Sequence, residues 1–176
     1  VRDNPAWEAD TPCGPLNEAG QIAFAQMLDA AVQRYSTAGY DVHHWELYNE
    51  PDNRAPEYGS QGGCWGDEPA AYVHLLAIAH GAITRADPDA TIVLGGLALE
   101  KLDGDPFNVD FLSQLLEAGG ADYFDWMNFH YYPAFSYRWD RYGAGVQGKA
   151  SYVRSVLQKA AVQKPVICSE IGQPSA

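Results

Sequence analysis

Strand-length runs rich in branched and aromatic residues recur along this chain, each parted from the next by a helix-length amphipathic segment. Asn17 is placed to cap a first helix whose apolar stripe is Phe24, Leu28, Ala31 and Tyr35, ending near Gly39. Residues 41–48 read as a strand, and 51–68 as a long loop of Gly, Pro, Asn and Asp. Pro69 suits a helix's first turn, and Tyr72, Leu76, Ala79 and Ile83 supply its stripe. Residues 91–95 form the next strand. Asn108 is placed to cap a short helix through Phe111, Leu112, Leu115 and Leu116, stopped by Gly119 and Gly120. A strand over 124–131, a helix over 149–161 faced by Val153, Val156, Leu157 and Ala160, and a strand over 165–171 complete the pattern. Strands linked through helices require right-handed crossovers and parallel pairing.

Two architectures satisfy such an alternation. In an open sheet covered on both faces, central strands are apolar throughout. Here period-2 alternation puts His44, Glu46, Tyr48 and Glu50 on one side of the first strand and Trp45 and Leu47 on the other. It groups Trp126, Asn128, His130 and Tyr132 against Met127, Phe129 and Tyr131 in the third strand, and Val166, Cys168 and Glu170 against Ile167 and Ile171 in the last. Carboxylates beneath helices would cost several kcal/mol each, about 3–5 when left unpaired. A barrel lumen opening into a cleft accommodates them. The expected fold is therefore a (β/α)8 barrel, and an incomplete one. Such barrels need about 250 residues, whereas residues 1–176 hold about four of the eight strands, as one domain with open sheet edges. The ends at Val1 and Ala176 read as cut, and no signal peptide precedes the first helix.

Charge narrows the partners. Eleven Lys and Arg against 23 Asp and Glu give a net charge of −12, which cannot neutralise a phosphate track, so nucleic acid is not expected. No apolar run is long enough to span a bilayer. Of the three cysteines, Cys168 lies in an apolar run, while Cys13 and Cys64 lie in loops. A bridge between those two suits a secreted protein, but spacing alone leaves both bridge and compartment open.

Two strand ends carry the chemistry. The segment Trp45-Glu46-Leu47-Tyr48-Asn49-Glu50-Pro51 places Glu50 where proline ends the ladder, and Ile167-Cys168-Ser169-Glu170-Ile171-Gly172 places Glu170 before a glycine. Two carboxyl groups facing one cleft are what glycoside hydrolysis requires. Together with Asn128-Phe129-His130-Tyr131-Tyr132-Pro133, these motifs resemble, in order, the fourth-, sixth- and seventh-strand segments of clan A glycoside hydrolases, nearest in wording to families 39 and 5. The resemblance implies a retaining hydrolase cleaving β-linked glycans by double displacement, with Glu50 as acid/base and Glu170 as nucleophile. It further implies that Asn49 binds the sugar's 2-hydroxyl, that His130 and Tyr132 lie beside the carboxylates, and that Tyr132 orients Glu170. The clan's usual residues on strands one, two and eight have no counterpart, so the sugar site of this chain alone is incomplete.

Other residues admit simpler roles. Trp65, Trp139 and Tyr137 lie in loops after strands, where flat rings either stack on sugars or cover the apolar rim. Glu46 reads as a lumen ion-pair or hydrogen-bond partner. His43 and His44 lack helical i, i+4 spacing or a third ligand, so no metal is expected, and no cofactor. His74 and His80 are expected to face solvent or a neighbour. The alternative function is a non-catalytic carbohydrate-binding protein, or inactive fragment, on the same barrel. Neither a Gly-x-Ser-x-Gly elbow nor a phosphate-binding Gly-Lys loop occurs. The expected partner is an oligo- or polysaccharide.

Overall fold

The computed structural model describes residues 4–9, 11, 13–37, 39–54, 64–100 and 106–173. Four α-helices, α1 (Glu18–Tyr35), α2 (Pro69–Ala86), α3 (Phe111–Glu117) and α4 (Gly145–Lys159), are interleaved with strands β1 (His44–Asn49), β2 (Thr91–Gly96), β3 (Met127–Tyr131) and β4 (Val166–Ile171). Short 3₁₀ turns at Gly120–Tyr123 and Tyr137–Tyr142 flank β3.

Local chemistry explains the helix ends. The Asn17 carboxamide oxygen accepts from Gly20 N at 2.9 Å and satisfies one of the free donors of α1. Pro69 opens α2, as expected. Asn108 does not cap α3 itself: its side chain accepts from Asp110 N at 3.0 Å, and the turn so formed delivers the chain to the helix. Gly119, at φ +83°, follows α3 in the left-handed conformation. The buried stripe of α1 is Gly20, Phe24, Leu28 and Val32, and Tyr35 stays exposed. Helix α4 begins four residues before the expected Lys149, and Ala160 lies beyond its last turn.

β1 pairs in parallel with β2, and β3 with β4. Between the pairs run isolated parallel bridges, Val93 with Trp126 and Leu97 with Phe129, and His130 N donates to Leu97 O at 2.9 Å. The four expected strands are thus present as two short parallel sheets joined by bridges.

One apolar core takes in Phe24 and Leu28 of α1, Leu76 and Ile83 of α2, Phe111 and Leu115 of α3, and Val153 and Leu157 of α4. Leu47, Ile92, Leu94, Met127 and Phe129 meet them from the strands. All four helices therefore contribute to one core, while His44 and Glu46 of β1 are exposed. Helix cover on one face and a polar opposite face are what the alternation in β1 and β3 requires.

The bridge between Cys13 and Cys64 is formed, with Cα atoms 4.5 Å apart. It ties the approach to α1 to the approach to α2. By restricting the unfolded chain, a link of this span contributes about 4 kcal/mol.

Candidate active site

Both glutamates stand just past irregularities in their strands. In β1, alternation breaks at Tyr48, whose φ is +69°, and Glu50 follows at φ +46°. Such backbone is uncommon for residues with a Cβ and costs on the order of 1 kcal/mol each. The turn at Tyr48 sends its ring into the core, 4.4 Å from Trp65 and 5.8 Å from Phe24, with its hydroxyl donating to Asn4 Oδ1 at 3.0 Å. Tyr48 is thus not on the face expected from alternation; that face continues from Glu46 to Glu50. Glu50 N donates to Gly96 O at 3.0 Å, which keeps the residue attached to β2 after regular pairing ends.

In β4 the break is a bulge. Phe129 pairs with Cys168, but His130 pairs with Glu170, leaving Ser169 as the extra residue. Cys168 packs against the apolar core beside Phe129, and Glu170 emerges on the side of His130. Cys168 and Glu170 therefore lie on opposite faces, correcting the alternation expected for this strand.

β3 is regular and buried along its length. His130 is only 3% exposed, and its Nδ1 lies 3.1 Å from Glu50 Oε1 and 3.6 Å from Glu170 Oε2. Its other edge lies against Gly96, where an added Cβ would come within 2.1 Å of Nε2. Glycine at this position is what admits the ring. The Tyr132 hydroxyl donates to Glu170 Oε1, and Glu46 Oε1 accepts from Gly96 N at 3.1 Å. Glu50 and Glu170 keep 25% and 44% of their side-chain surface accessible.

The electrostatics follow. Burial alone would lower the His130 pKa, but the hydrogen bond to Glu50 and the charges of Glu50, Glu170 and Glu46 outweigh it and hold the imidazole above its ordinary 6.5. The bond to Glu170 raises the Tyr132 phenol, which keeps its proton and donates it to the carboxylate.

A second polar cluster lies behind the first and escaped the sequence reading. Asp52 is fully buried, accepting from Ala98 N at 3.0 Å and Leu99 N at 2.6 Å. Lys149, also fully buried, donates to Glu100 and to Ala98 O, and Ser136 Oγ donates to Glu100 Oε1 at 2.5 Å. Burial pushes Asp52 up to about 7, against the pull of the two amides. It also lowers Lys149 and raises Glu100, each opposed by the other's charge. The one available signal was Lys149 at the start of an otherwise apolar helical face.

Glu50, Glu170, His130 and Tyr132 are brought together. Asn49 is half-buried at the end of β1, in register with Gly96. Trp65 and Trp139 are not at the site: they are 0% and 1% exposed. Trp65 lies between Tyr48 and Tyr72, and Trp139 stacks on Tyr152 at 3.9 Å, so neither offers a face to a sugar. Both rings are buried in the apolar core. The side chain of Tyr137 lies outside the described residues. Phe135, in the turn after Tyr132, is 41% exposed. His43 binds Asp87 at 2.6 Å and Asp41 at 3.2 Å, His44 lies against Trp126, and His74 meets Gln21 at 3.1 Å. Among the described residues, no cluster of three or more His, Cys, Asp or Glu is arranged to hold a metal ion.

No family model and no curated protein matches this sequence. Solved structures do. A glucosidase from Croceicoccus marinus aligns with 96% of the chain at 17% identity and a TM-score of 0.65, the chain covering 34% of it. A family 39 glycoside hydrolase from Bacteroides cellulosilyticus WH2 aligns with 92% at 22% identity and a TM-score of 0.56, with 32% of it covered. A family 44 endoglucanase from Clostridium thermocellum aligns with 84% at 13% identity and a TM-score of 0.53, with 40% of it covered. The chain thus spans about a third to two fifths of the length of these structures, and over most of its own length it shares its fold with a section of glycoside hydrolases.

Proposed function

We propose that the chain is the central part of an incomplete (β/α)8 barrel, roughly its fourth to seventh strands, and that Glu50 and Glu170 are the acid/base and nucleophile of a retaining hydrolase of β-linked glycans. The observation that carries this reading is the approach of both carboxylates to one nitrogen of His130, on the polar face and open to solvent. Retention asks for carboxyl groups about 5–5.5 Å apart, and two acids served by one imidazole nitrogen suit that spacing better than the wider gap of inversion.

In the first step Glu50 gives its proton to the glycosidic oxygen as the leaving bond breaks. A Glu170 oxygen attacks the anomeric carbon and forms a glycosyl ester. Tyr132, donating to Oε1 of Glu170, holds the carboxylate in one orientation and leaves Oε2 for attack. In the second step Glu50, now ionised, takes a proton from water, which attacks the same carbon and releases Glu170. The hydrogen bond between His130 Nδ1 and Glu50 lets one proton be held on either side during this exchange. Asn49, next to Glu50, is assigned to the 2-hydroxyl. The Cys13–Cys64 disulfide supports folding in an oxidising compartment, in keeping with secretion.

The test is hydrolysis of an aryl-glycoside panel by the full-length protein, with the anomeric configuration of the first product followed by NMR. Retention, abolished by Glu170→Gln while sugar binding persists, is the expected result. An inverted product, or turnover surviving that substitution, overturns the reading.

A further inference from the structure

The direction of Glu170 depends on the bulge at Ser169, which Cys168 Sγ spans by donating to Glu170 O at 3.3 Å and to which one side chain of the neighbouring strand makes two hydrogen bonds. Asn128 of β3 is fully buried. Its Oδ1 accepts from Ser169 N at 3.0 Å and its Nδ2 donates to Ser169 Oγ at 2.8 Å. The amide orientation is fixed by chemistry, because a backbone N–H can only donate and must meet the oxygen. The carboxamide thus takes up the N–H that the extra residue would leave without a ladder partner. Without the bulge, Ser169 would fall opposite His130, and Glu170 would turn to the face on which Cys168 packs.

We propose that Asn128 is a positioning residue for Glu170: its buried carboxamide pins the bulge at Ser169, and so decides the face of the sheet to which Glu170 points. The inference rests on the proposed role of Glu170 only for its kinetic consequence, and its structural consequence stands separately.

Asn128→Leu keeps the side-chain size and removes both hydrogen bonds. In the full-length protein it is expected to lower kcat on an activated aryl glycoside by about 100-fold or more, with KM changed less than about threefold. Ser169→Ala retains the bond to the backbone and is expected to stay within about threefold of wild type. Asn128→Asp keeps an acceptor for Ser169 N and for the hydroxyl, and should recover at least tenfold over Asn128→Leu, a rescue that loss of packing alone would not give. The second readout is the crystal structure of Asn128→Leu, or of Asn128→Asp should the former not fold. Leucine is expected to pair His130 with Ser169, and aspartate to keep His130 opposite Glu170. A leucine variant with wild-type kcat, or with Glu170 still opposite His130, overturns the proposal, as does an aspartate variant that has lost the bulge. If the wild-type protein turns over no glycoside, the function proposed above fails, and the register alone decides for or against Asn128.

Discussion

Two acidic clusters lie toward the C-terminal ends of the strands, one drawn from β1, β3 and β4 and the other from the segments after β1 and β2 and from α4, and they differ in access to water. Around His130, Glu50 and Glu170 keep 25% and 44% of their side-chain surfaces open. Around Lys149, Glu100 and Asp52 are sealed: two backbone amides donate to Asp52, and Ser136 donates to Oε1 of Glu100, whose Oε2 is buried without a hydrogen-bond partner among the described residues. A charge pair alone does not mark a site of chemistry. The sealed cluster joins the segment after β1, the segment after β2 and α4. The open cluster leaves its carboxylates in contact with solvent.

The largest expected effect breaks the open cluster chemically while sparing the fold. Glu170→Gln should lower kcat by at least about 10³-fold and leave the unfolding free energy within about 0.5 kcal/mol, since a half-exposed side chain is changed. Chemical denaturation beside an activity assay checks both. The sealed cluster should respond in the opposite way. Lys149→Met leaves Glu100 as an uncompensated buried charge and should cost about 3–5 kcal/mol of stability. A variant as stable as wild type would show that the pair does not hold the loops.

A subtler change tests how the open cluster is seated. Gly96→Ala places a methyl group where the His130 ring lies. It should reduce kcat by about 10–100-fold through the displaced imidazole, an effect that His130→Ala in the same background would not deepen. Kinetics of the two single variants and the double variant measure it.

The smallest effects separate the clusters by pH. His130 is raised above 6.5 on folding, so its stabilising charge is fully present below 6.5 and is lost as pH rises through the raised value. His130→Asn should remove the loss of Tm in that upper window. Asp52 is raised to about 7, so its contribution is present below its ordinary 3.8 and is lost as pH climbs toward 7. Asp52→Asn should flatten that lower window and leave the upper one unchanged. Thermal melts from pH 4 to 9 distinguish the two, and a shared window would mean that the clusters titrate as one.

The same contrast explains what was legible in the sequence. Parity placed His130 correctly because β3 keeps regular pairing across the residues that matter. Glu50 and Glu170 could be picked out because a proline and a glycine mark where their strands end. Parity failed at Tyr48 and at Cys168, where a left-handed residue and a bulge each change the face, and neither leaves a mark in residue type. Tyr48 and Ser169 are ordinary strand residues whose conformations are set by partners distant in sequence: Trp65 and Phe24 for the one, Asn128 for the other. Trp65 and Trp139 could be read either at the cleft or in the core, because loop aromatics look alike in sequence whether they meet a ligand or a core. The disulfide beside Trp65 and the stacked Tyr152 settle these two for the core. The buried Lys149 was hidden for a similar reason, since its carboxylate partner is 49 positions away.

The central claim is that Glu170 attacks the anomeric carbon while Glu50 moves the proton. The most direct measurement is mass spectrometry of the full-length protein after incubation with a 2-deoxy-2-fluoro glycoside bearing an activated leaving group, which traps the ester by slowing its hydrolysis. The account predicts one glycosyl adduct on the peptide holding Glu170, absent in Glu170→Gln and slower to clear in Glu50→Ala. An adduct on another residue, or steady turnover of the parent glycoside with no adduct formed, would contradict it.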